Sequence, residues 1–231
     1  MHDQWSYEEG IAIKTHGEHI SKDLAVFYNP AMKINRDTTL LFLASYFHES
    51  ITACDPLVAS GIRQLRILST LPERIRYWHC GDLSEQAISE FRENMAKNGI
   101  SSAVLSLNRQ DAHVTMASGM FDFIEIDPFG SPVPFLDLAC QRVKHRGIIS
   151  VTATDTAALC GTYPKKTWRR YGIQVEKMYW YEEAGLRNLI AYCQRQAAKY
   201  DKRLVPVFSY VHNHFYKVFL RVEKGRGKAL S

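Results

Sequence analysis

Short apolar runs alternate with amphipathic stretches from residue 51 onward, an alternation typical of a mainly parallel sheet with helices on its faces. The short apolar runs predict strands, and the longer stretches with apolar positions three and four residues apart predict helices. The predicted strands are Ile51–Asp55, Ile75–Cys80, Ala103–Leu107, Phe121–Asp127, Gly147–Thr152, Leu204–Val211 and Phe215–Val222. The predicted helices are Ile62–Thr70, Ser84–Lys97, Val133–Lys144 and Glu183–Tyr200.

The last two predicted strands are separated only by His212-Asn213-His214, which is hairpin spacing and predicts an antiparallel edge on the sheet. Seven strands that close on such a hairpin resemble the Rossmann-like methyltransferases that use S-adenosylmethionine. We therefore predict an α/β fold of this class, with a seven-stranded, mostly parallel sheet and a C-terminal antiparallel hairpin.

Residues 1–50 stand apart from this alternation. Gly10–Ile13 is predicted as a short strand and Arg36–Phe47 as an amphipathic helix. We expect residues 1–50 to form a cap over the cofactor and base cleft, and residues 51–231 to form the methyltransferase domain. The sequence contains no internal repeat or linker that indicates a further domain.

Composition narrows the class of protein. The 231 residues are 46% hydrophobic and 23% charged, which is ordinary for a globular protein, and no apolar run has the length of a membrane span. The first residues do not follow the pattern of a signal peptide, so a cytoplasmic location is expected. The five cysteines are scattered without C-x-x-C spacing, and the H-x-H pair lacks a third ligand, so no metal is expected.

The formal charge of +5 favours anionic partners only mildly, but the cations are clustered. Residues 165–171 contain four cations and two aromatic rings, and residues 224–228 form a second basic group. Rings interleaved with cations suit RNA, whereas the alternative for the first cluster is a solvated helix face and for the second a disordered terminus. The candidate RNA contacts are Lys165, Lys166, Arg169 and Arg170.

The stretch Asp127-Pro128-Phe129-Gly130 after the fourth predicted strand carries the clearest chemistry. Pro128 fixes φ and lacks an N–H, so the strand end presents a carboxylate and a free carbonyl beside an aromatic ring. Two acceptors and a stacking surface are what a planar base with an exocyclic amine requires. The alternative is a strand followed by an ordinary proline turn.

Other strand ends continue this pattern, because ligands of open α/β sheets bind beyond the carboxyl ends of the strands. The loop after Asp55 has small residues but no G-x-G-x-x-G, which argues against a dehydrogenase. Asp82 is placed either to bind ribose hydroxyls or to cap a helix. Asp111-Ala112 is placed either to hold adenine or to cap the next helix.

Together these motifs resemble, in order and over nearly the whole chain, the tRNA guanine-26 N2-methyltransferase family, which makes N2-methyl and N2,N2-dimethyl guanosine. The motifs that carry the resemblance are Val26–Pro30, Asn35–Asp37, Ala59–Arg63, Gly81-Asp82, Asp111-Ala112, Asp127–Pro132, Gly147, Val151–Ala157, Leu159–Gly161, Arg169–Gly172, Glu183 and Gly185–Arg187.

The resemblance implies a role for each matched position. Asp127 and Pro128 would be catalytic, holding the guanine amine, and Phe27 and Phe129 would stack on the base, although each ring could instead belong to the core. The residues implied to bind S-adenosylmethionine are Arg36, Arg63, Asp82, Asp111 and Ala112. The two arginines have an alternative role, which is to hold an acidic strand-end residue such as Asp55.

The chain departs from the family pattern in two respects. Relatives usually continue into a second, tRNA-gripping domain, so the alternatives are a compact member, a fragment, or a protein that relies on a partner chain for tRNA affinity. In addition, Gly81 replaces a common asparagine before Asp82. The alternatives to a tRNA methyltransferase are a non-catalytic RNA-binding module with this fold and an amino-methyltransferase acting on another nucleic acid. Retention of both Asp82 and Asp127 favours an enzyme.

Overall fold

The computed structural model describes residues 4–15, 26 and 28–229, and the chain forms two compact units, residues 1–118 and 119–231. The helices and strands of the first unit are β1 (Gln4–Glu8), β2 (Ile11–Thr15), α1 (Lys33–Tyr46), β3 (Ile51–Asp55), α2 (Ile62–Thr70), β4 (Ile75–Asp82), α3 (Glu85–Lys97), β5 (Leu105–Arg109) and α4 (Ala112–Ala117). Those of the second are β6 (Phe121–Ile126), α5 (Val133–Arg142), β7 (Val143–Ala153), α6 (Thr156–Leu159), α7 (Pro164–Tyr171), α8 (Tyr181–Ala198), β8 (Lys202–His212), β9 (Phe215–Lys224) and α9 (Arg226–Ala229).

Seven strands belong to one mostly parallel sheet, which confirms the predicted fold class. In the first unit the strands lie in the order β5-β4-β3, and both pairs are parallel. In the second unit the order is β6-β7-β9-β8; β6 and β7 are parallel, and β9 pairs antiparallel with β7 and with β8. The predicted C-terminal hairpin is therefore present. Strands β1 and β2 form a separate antiparallel hairpin.

Element boundaries differ from the predictions where local capping decides them. The strand predicted from Ala103 begins at Leu105, because Ser101 accepts a hydrogen bond from the Ala103 amide (3.1 Å) and opens a short 3-10 turn. The helix predicted from Arg36 begins at Lys33, directly after a 3-10 turn capped by Asn29. Helix α7 was not among the predicted elements, and Pro164 stands at its first position.

The core of the second unit contains an ion pair without solvent access. Lys217 of β9 donates to Glu125 of β6 at 2.5 Å and to Thr152 of β7 at 3.1 Å, and Ser150 also donates to Glu125 at 3.2 Å. Both charged side chains are fully buried. The pair links β6, β7 and β9, and because desolvation of two charges is costly, its net contribution to stability is small.

Candidate functional site

In the first unit, the carboxyl ends of β3, β4 and β5 lie at one edge of the parallel strands, and Asp82 ends β4. One carboxylate oxygen of Asp82 accepts from the Ala59 amide (3.0 Å) and the other from the Ser84 amide (2.9 Å). The side chain that caps α3 is that of Ser84, which accepts from the Ala87 amide. A carboxylate accepts about four hydrogen bonds, so Asp82 retains capacity for a ligand's hydroxyl groups.

The loop after β3 needs residues without bulk. Gly61 has φ of 75°, and a Cβ there would lie 2.3 Å from the ring of Phe91, so both the backbone conformation and the packing require glycine. A Cβ on Gly81 would lie 2.1 Å from the hydroxyl oxygen of Thr115 in α4. The packing of α4 against β4 therefore explains why a glycine precedes Asp82 in this chain.

Asp111 caps α4. One of its carboxylate oxygens accepts from the His113 amide at 2.7 Å and lies 2.9 Å from the His113 ring nitrogen. The hydrogen bond from the His113 backbone is the main cause that lowers the pKa of Asp111. The side chain is half exposed, and the neighbouring Ala112 is buried. Asp111 thus acts as the helix cap, and its contact with adenine stays a prediction.

Arg36 is buried and engaged with a carboxylate of its own unit. It donates to both oxygens of Glu8, at 2.8 Å from Nε and more closely from Nη2, and also to the Asn29 carbonyl at 3.1 Å. Arg66 adds a bond of 2.7 Å to Glu8. Burial alone would raise the pKa of Glu8, but the hydrogen bonds and charges of the two arginines outweigh it and lower that pKa.

Arg63 ties α2 to α1, because its Nη1 donates to the side chains of Asn35 (3.1 Å) and Thr39 (2.9 Å). Asp55 accepts hydrogen bonds from Gln64, at 2.5 Å, and from the Leu57 amide, at 3.0 Å. Arg36 holds the acid Glu8, and an arginine contact with Asp55 stays a prediction. Direct contact of Arg36 or Arg63 with a cofactor stays a prediction.

In the second unit, Asp127 and Pro128 directly follow β6, and Pro128 is buried. The ring of Phe129 is 62% exposed, so the alternative prediction, that this ring belongs to the core, is wrong. Gly130 follows with φ of 80°, and its N–H and C=O pair with the Thr154 hydroxyl (2.8 Å) and the Thr154 amide (2.9 Å). Phe27, the other predicted stacking ring, lies outside the described residues.

A buried tyrosine holds the next residue of this loop. The Tyr171 hydroxyl donates to Asp155 at 2.7 Å and lies 2.8 Å from the Ser131 hydroxyl, and Arg170 donates to the second oxygen of Asp155 at 2.8 Å. Tyr171 is 1% exposed, and burial with the adjacent Asp155 raises its pKa. We call Ser131, Asp155, Arg170 and Tyr171 the loop latch. The sequence predicted an RNA contact for Arg170 but no individual role for the other three residues, although Asp155 follows a strand end.

The four cations of α7 have different environments. Lys165 and Arg169 are exposed and make no ion pair or side-chain hydrogen bond within the described residues, and Lys166 lies 5.9 Å from the centre of the Tyr163 ring. Arg170 is engaged by Asp155 in the loop latch. Lys165 and Arg169 are therefore the most accessible of the predicted phosphate contacts.

Within the described part of the chain, no group of three or more His, Cys, Asp or Glu side chains has the arrangement of a metal site. The cysteines are buried, and burial raises the pKa of every thiol, which makes them poor nucleophiles. Across residues 4–15, 26 and 28–229, no helix is both long and apolar enough to cross a membrane.

A model of the N2,N2-dimethylguanosine tRNA methyltransferase family matches residues 7–230. The chain belongs to this family. Individual members of the family are also similar to this chain. The tRNA (guanine(26)-N(2))-dimethyltransferase of Methanopyrus kandleri is 37% identical over 220 residues, which are 94% of this chain and 56% of that protein.

Two further family resemblances are informative. The tRNA (guanine(26)-N(2)/guanine(27)-N(2))-dimethyltransferase of Aquifex aeolicus is 37% identical over 94% of this chain and 58% of its own length. The structure of Trm1 from Pyrococcus horikoshii in complex with S-adenosyl-L-methionine has a TM-score of 0.87 at 32% identity, covering 98% of this chain and 63% of that one. The present chain thus spans little more than half the length of the Methanopyrus and Aquifex relatives.

Proposed function

We propose that this chain transfers methyl groups from S-adenosylmethionine to the exocyclic N2 amine of a guanine in tRNA. The target is guanine 26, and the product is N2-methyl or N2,N2-dimethyl guanosine. The observation that carries the proposal is the family match over residues 7–230, together with carboxylates at the ends of β4 and β6. A cytoplasmic location belongs to the same proposal.

The first unit is proposed to bind the cofactor. Its residues fit a nucleoside, because Asp82 has acceptor capacity for ribose hydroxyls and the small, buried Ala112 leaves room for a ring beside Asp111. When bound, S-adenosylmethionine supplies an electrophilic methyl group. Arg36 and Arg63 are proposed to line this site while ordering α1 and the hairpin β1–β2.

Residues 1–50 are proposed to cap this cofactor site. Asn98, directly after α3, donates to the Ala12 carbonyl at 2.7 Å and accepts from the Ala12 amide at 2.8 Å, which attaches the hairpin to this end of the helix. Support for the cap comes from Asn94 of α3, which donates to the Ser60 carbonyl in the loop after β3 at 2.9 Å. The side chain of Asn94 likewise accepts from the Lys14 amide at 2.9 Å.

Asp127 and the Pro128 carbonyl are proposed to hold the guanine amine. The nitrogen lone pair is delocalised into the ring, so hydrogen bonds that pull the amine toward tetrahedral geometry make it a better nucleophile. Asp127 takes the proton that the nitrogen loses as it gains a methyl group. Positioning of this kind contributes several kcal/mol when the geometry is held firmly, which is the proposed role of the loop latch.

The exposed ring of Phe129 is proposed to stack on the target base, with Phe27 as the second ring. A paired or stacked guanine must leave its position at a cost of a few kcal/mol. Stacking contributes roughly 1–3 kcal/mol per base and offsets much of that cost.

Lys165, Lys166 and Arg169 are proposed to contact tRNA phosphates, and Arg170 to do so while paired with Asp155. Because phosphate contacts release counterions, affinity for tRNA falls steeply as salt rises. A partner chain that adds tRNA affinity is proposed in addition.

The test is to incubate the purified chain with S-adenosylmethionine and unmodified tRNA transcripts, and to identify methylated nucleosides by mass spectrometry. Methylated guanosine should form, and it should disappear when guanine 26 is replaced; replacement of guanine 27 separates the two positions named for the Aquifex relative. Asp127→Asn should bind cofactor and lose methylation. Full turnover by Asp127→Asn would remove Asp127 from the proposed role.

A further inference from the structure

Helix α7 carries a tryptophan that the fold leaves in solvent. Trp168 is 63% exposed, whereas Thr167 and Tyr171 of the same helix are buried. The Thr167 hydroxyl donates to the Ala158 and Tyr163 carbonyls, so the inner face is firmly attached and the outer face is fixed in position. A single exposed aromatic side chain is ordinary on a protein surface, so its neighbours decide whether it belongs to a binding surface.

The neighbours of Trp168 share a positive charge. Lys165 lies three residues before Trp168 and four residues before Arg169, so helical spacing places Lys165 next to both side chains on the exposed part of the helix. Neither cation has an ion pair among the described residues. At the start of the helix, Lys166 lies over the ring of Tyr163, which is 56% exposed. We call Lys165, Trp168 and Arg169 the α7 outer face.

We propose that the α7 outer face is a base-stacking surface for tRNA, in which an unpaired base stacks on Trp168 while Lys165 and Arg169 contact the flanking phosphates. The inference rests on the proposed function and adds to it a contact that is not electrostatic. An apolar protein partner fits less well, because covering Trp168 would desolvate two unpaired cations. RNA supplies a planar ring and anions at once.

The contributions of the Trp168 ring and of the two cations to tRNA binding should differ in their dependence on salt concentration. Loss of one stacked base corresponds to roughly a 5- to 150-fold rise in Kd, the equivalent of 1–3 kcal/mol. Stacking releases few counterions, so Trp168→Ala should weaken tRNA binding at every salt concentration without changing the slope of log Kd against log salt. Lys165→Ala and Arg169→Ala should each lower that slope by about one.

Binding of a fluorescent, unmodified tRNA transcript should be titrated at several salt concentrations with the full chain. Trp168→Phe keeps an aromatic ring and should recover most of the affinity lost in Trp168→Ala. Tyr7→Ala is the matched control, because Tyr7 is 67% exposed but is followed by Glu8 and Glu9. That variant should bind like the wild type.

A Trp168→Ala variant that binds tRNA within twofold of the wild type at every salt concentration would overturn the inference, and a polypeptide would then be the better candidate for this face. A change in slope equal to that of Lys165→Ala would also overturn it, since the ring would then act only by positioning charge. The proposed function fails differently: the wild-type chain would bind tRNA with the predicted Trp168 dependence and yet methylate no guanine.

Discussion

Replacement of Tyr171 by phenylalanine tests whether the loop latch positions the residues that follow Asp127. The change removes one hydroxyl and keeps the buried ring. That hydroxyl donates to Asp155, whose side chain is only 6% exposed, and contacts the half-buried Ser131. A hydrogen bond to a charged group contributes roughly 1.5–3 kcal/mol, while Arg170 still holds the other carboxylate oxygen.

We therefore expect Tyr171→Phe to lower the free energy of unfolding by about 2 kcal/mol, which is a decrease in Tm of roughly 4–8 °C for a chain of this length. Catalysis should suffer more than folding. A loop displacement of the order of 1 Å costs up to about 100-fold in rate, so kcat should fall by roughly 10- to 100-fold. The Kd for S-adenosylmethionine should stay the same, because the proposed cofactor residues belong to the first unit.

The assays are single-turnover methylation, cofactor titration and thermal unfolding, with Tyr192→Phe as the control. Tyr192 packs edge-on against the Tyr171 ring at 5.3 Å between centroids but has no part in the latch. If Tyr171→Phe methylates tRNA as fast as Tyr192→Phe does, the latch does not position the loop. An equal loss of cofactor affinity and kcat would indicate general unfolding instead.

Two further predictions concern the buried charges. Lys217→Met removes the cation that is ion-paired with the buried Glu125 carboxylate, so it should cost roughly 3–5 kcal/mol in urea unfolding. The double variant Glu125→Gln/Lys217→Met should recover most of that loss, and equal stability of the two variants would contradict this account. In the folded state the pKa of Glu8 lies below its ordinary value of 4.5. The ionised carboxylate therefore contributes its full stability above pH 4.5, and this contribution is lost as pH falls through the lower, folded-state pKa. The Tm of the wild type should consequently fall more steeply with acid than that of Glu8→Gln, and parallel pH profiles would refute the assignment.

Periodicity predicted much of the sheet because strand length and helical spacing are local properties. Ile51–Asp55 and Ile62–Thr70 are found with the predicted bounds, and the closing hairpin has the predicted pairing. The elements that periodicity missed are short or polar. Helix α7 reads as a basic cluster, and its inner face consists only of Thr167 and Tyr171, which is too little apolar pattern to recognise.

Sequence motifs placed the candidate residues at strand ends, but they did not determine which side chains meet. Arg36 contacts Glu8, which lies 28 residues earlier, because the hairpin β1–β2 brings an acid that no motif had singled out. Arg169 and Arg170 are adjacent and chemically identical, yet one faces solvent and the other holds Asp155. A helix turns by about 100° per residue, so neighbours separate once the start of the helix is fixed.

The sequence by itself determined the family, the order of the strands along the chain and the carboxylates at their ends, since each is written in consecutive residues or in matched motifs. Only the tertiary structure decided the partners of the buried charges and the loop latch. Ser131 meets Tyr171 across 40 residues and Glu125 meets Lys217 across 92. Such contacts depend on which strands and helices become neighbours in the fold, and the local spacing of apolar residues does not determine this.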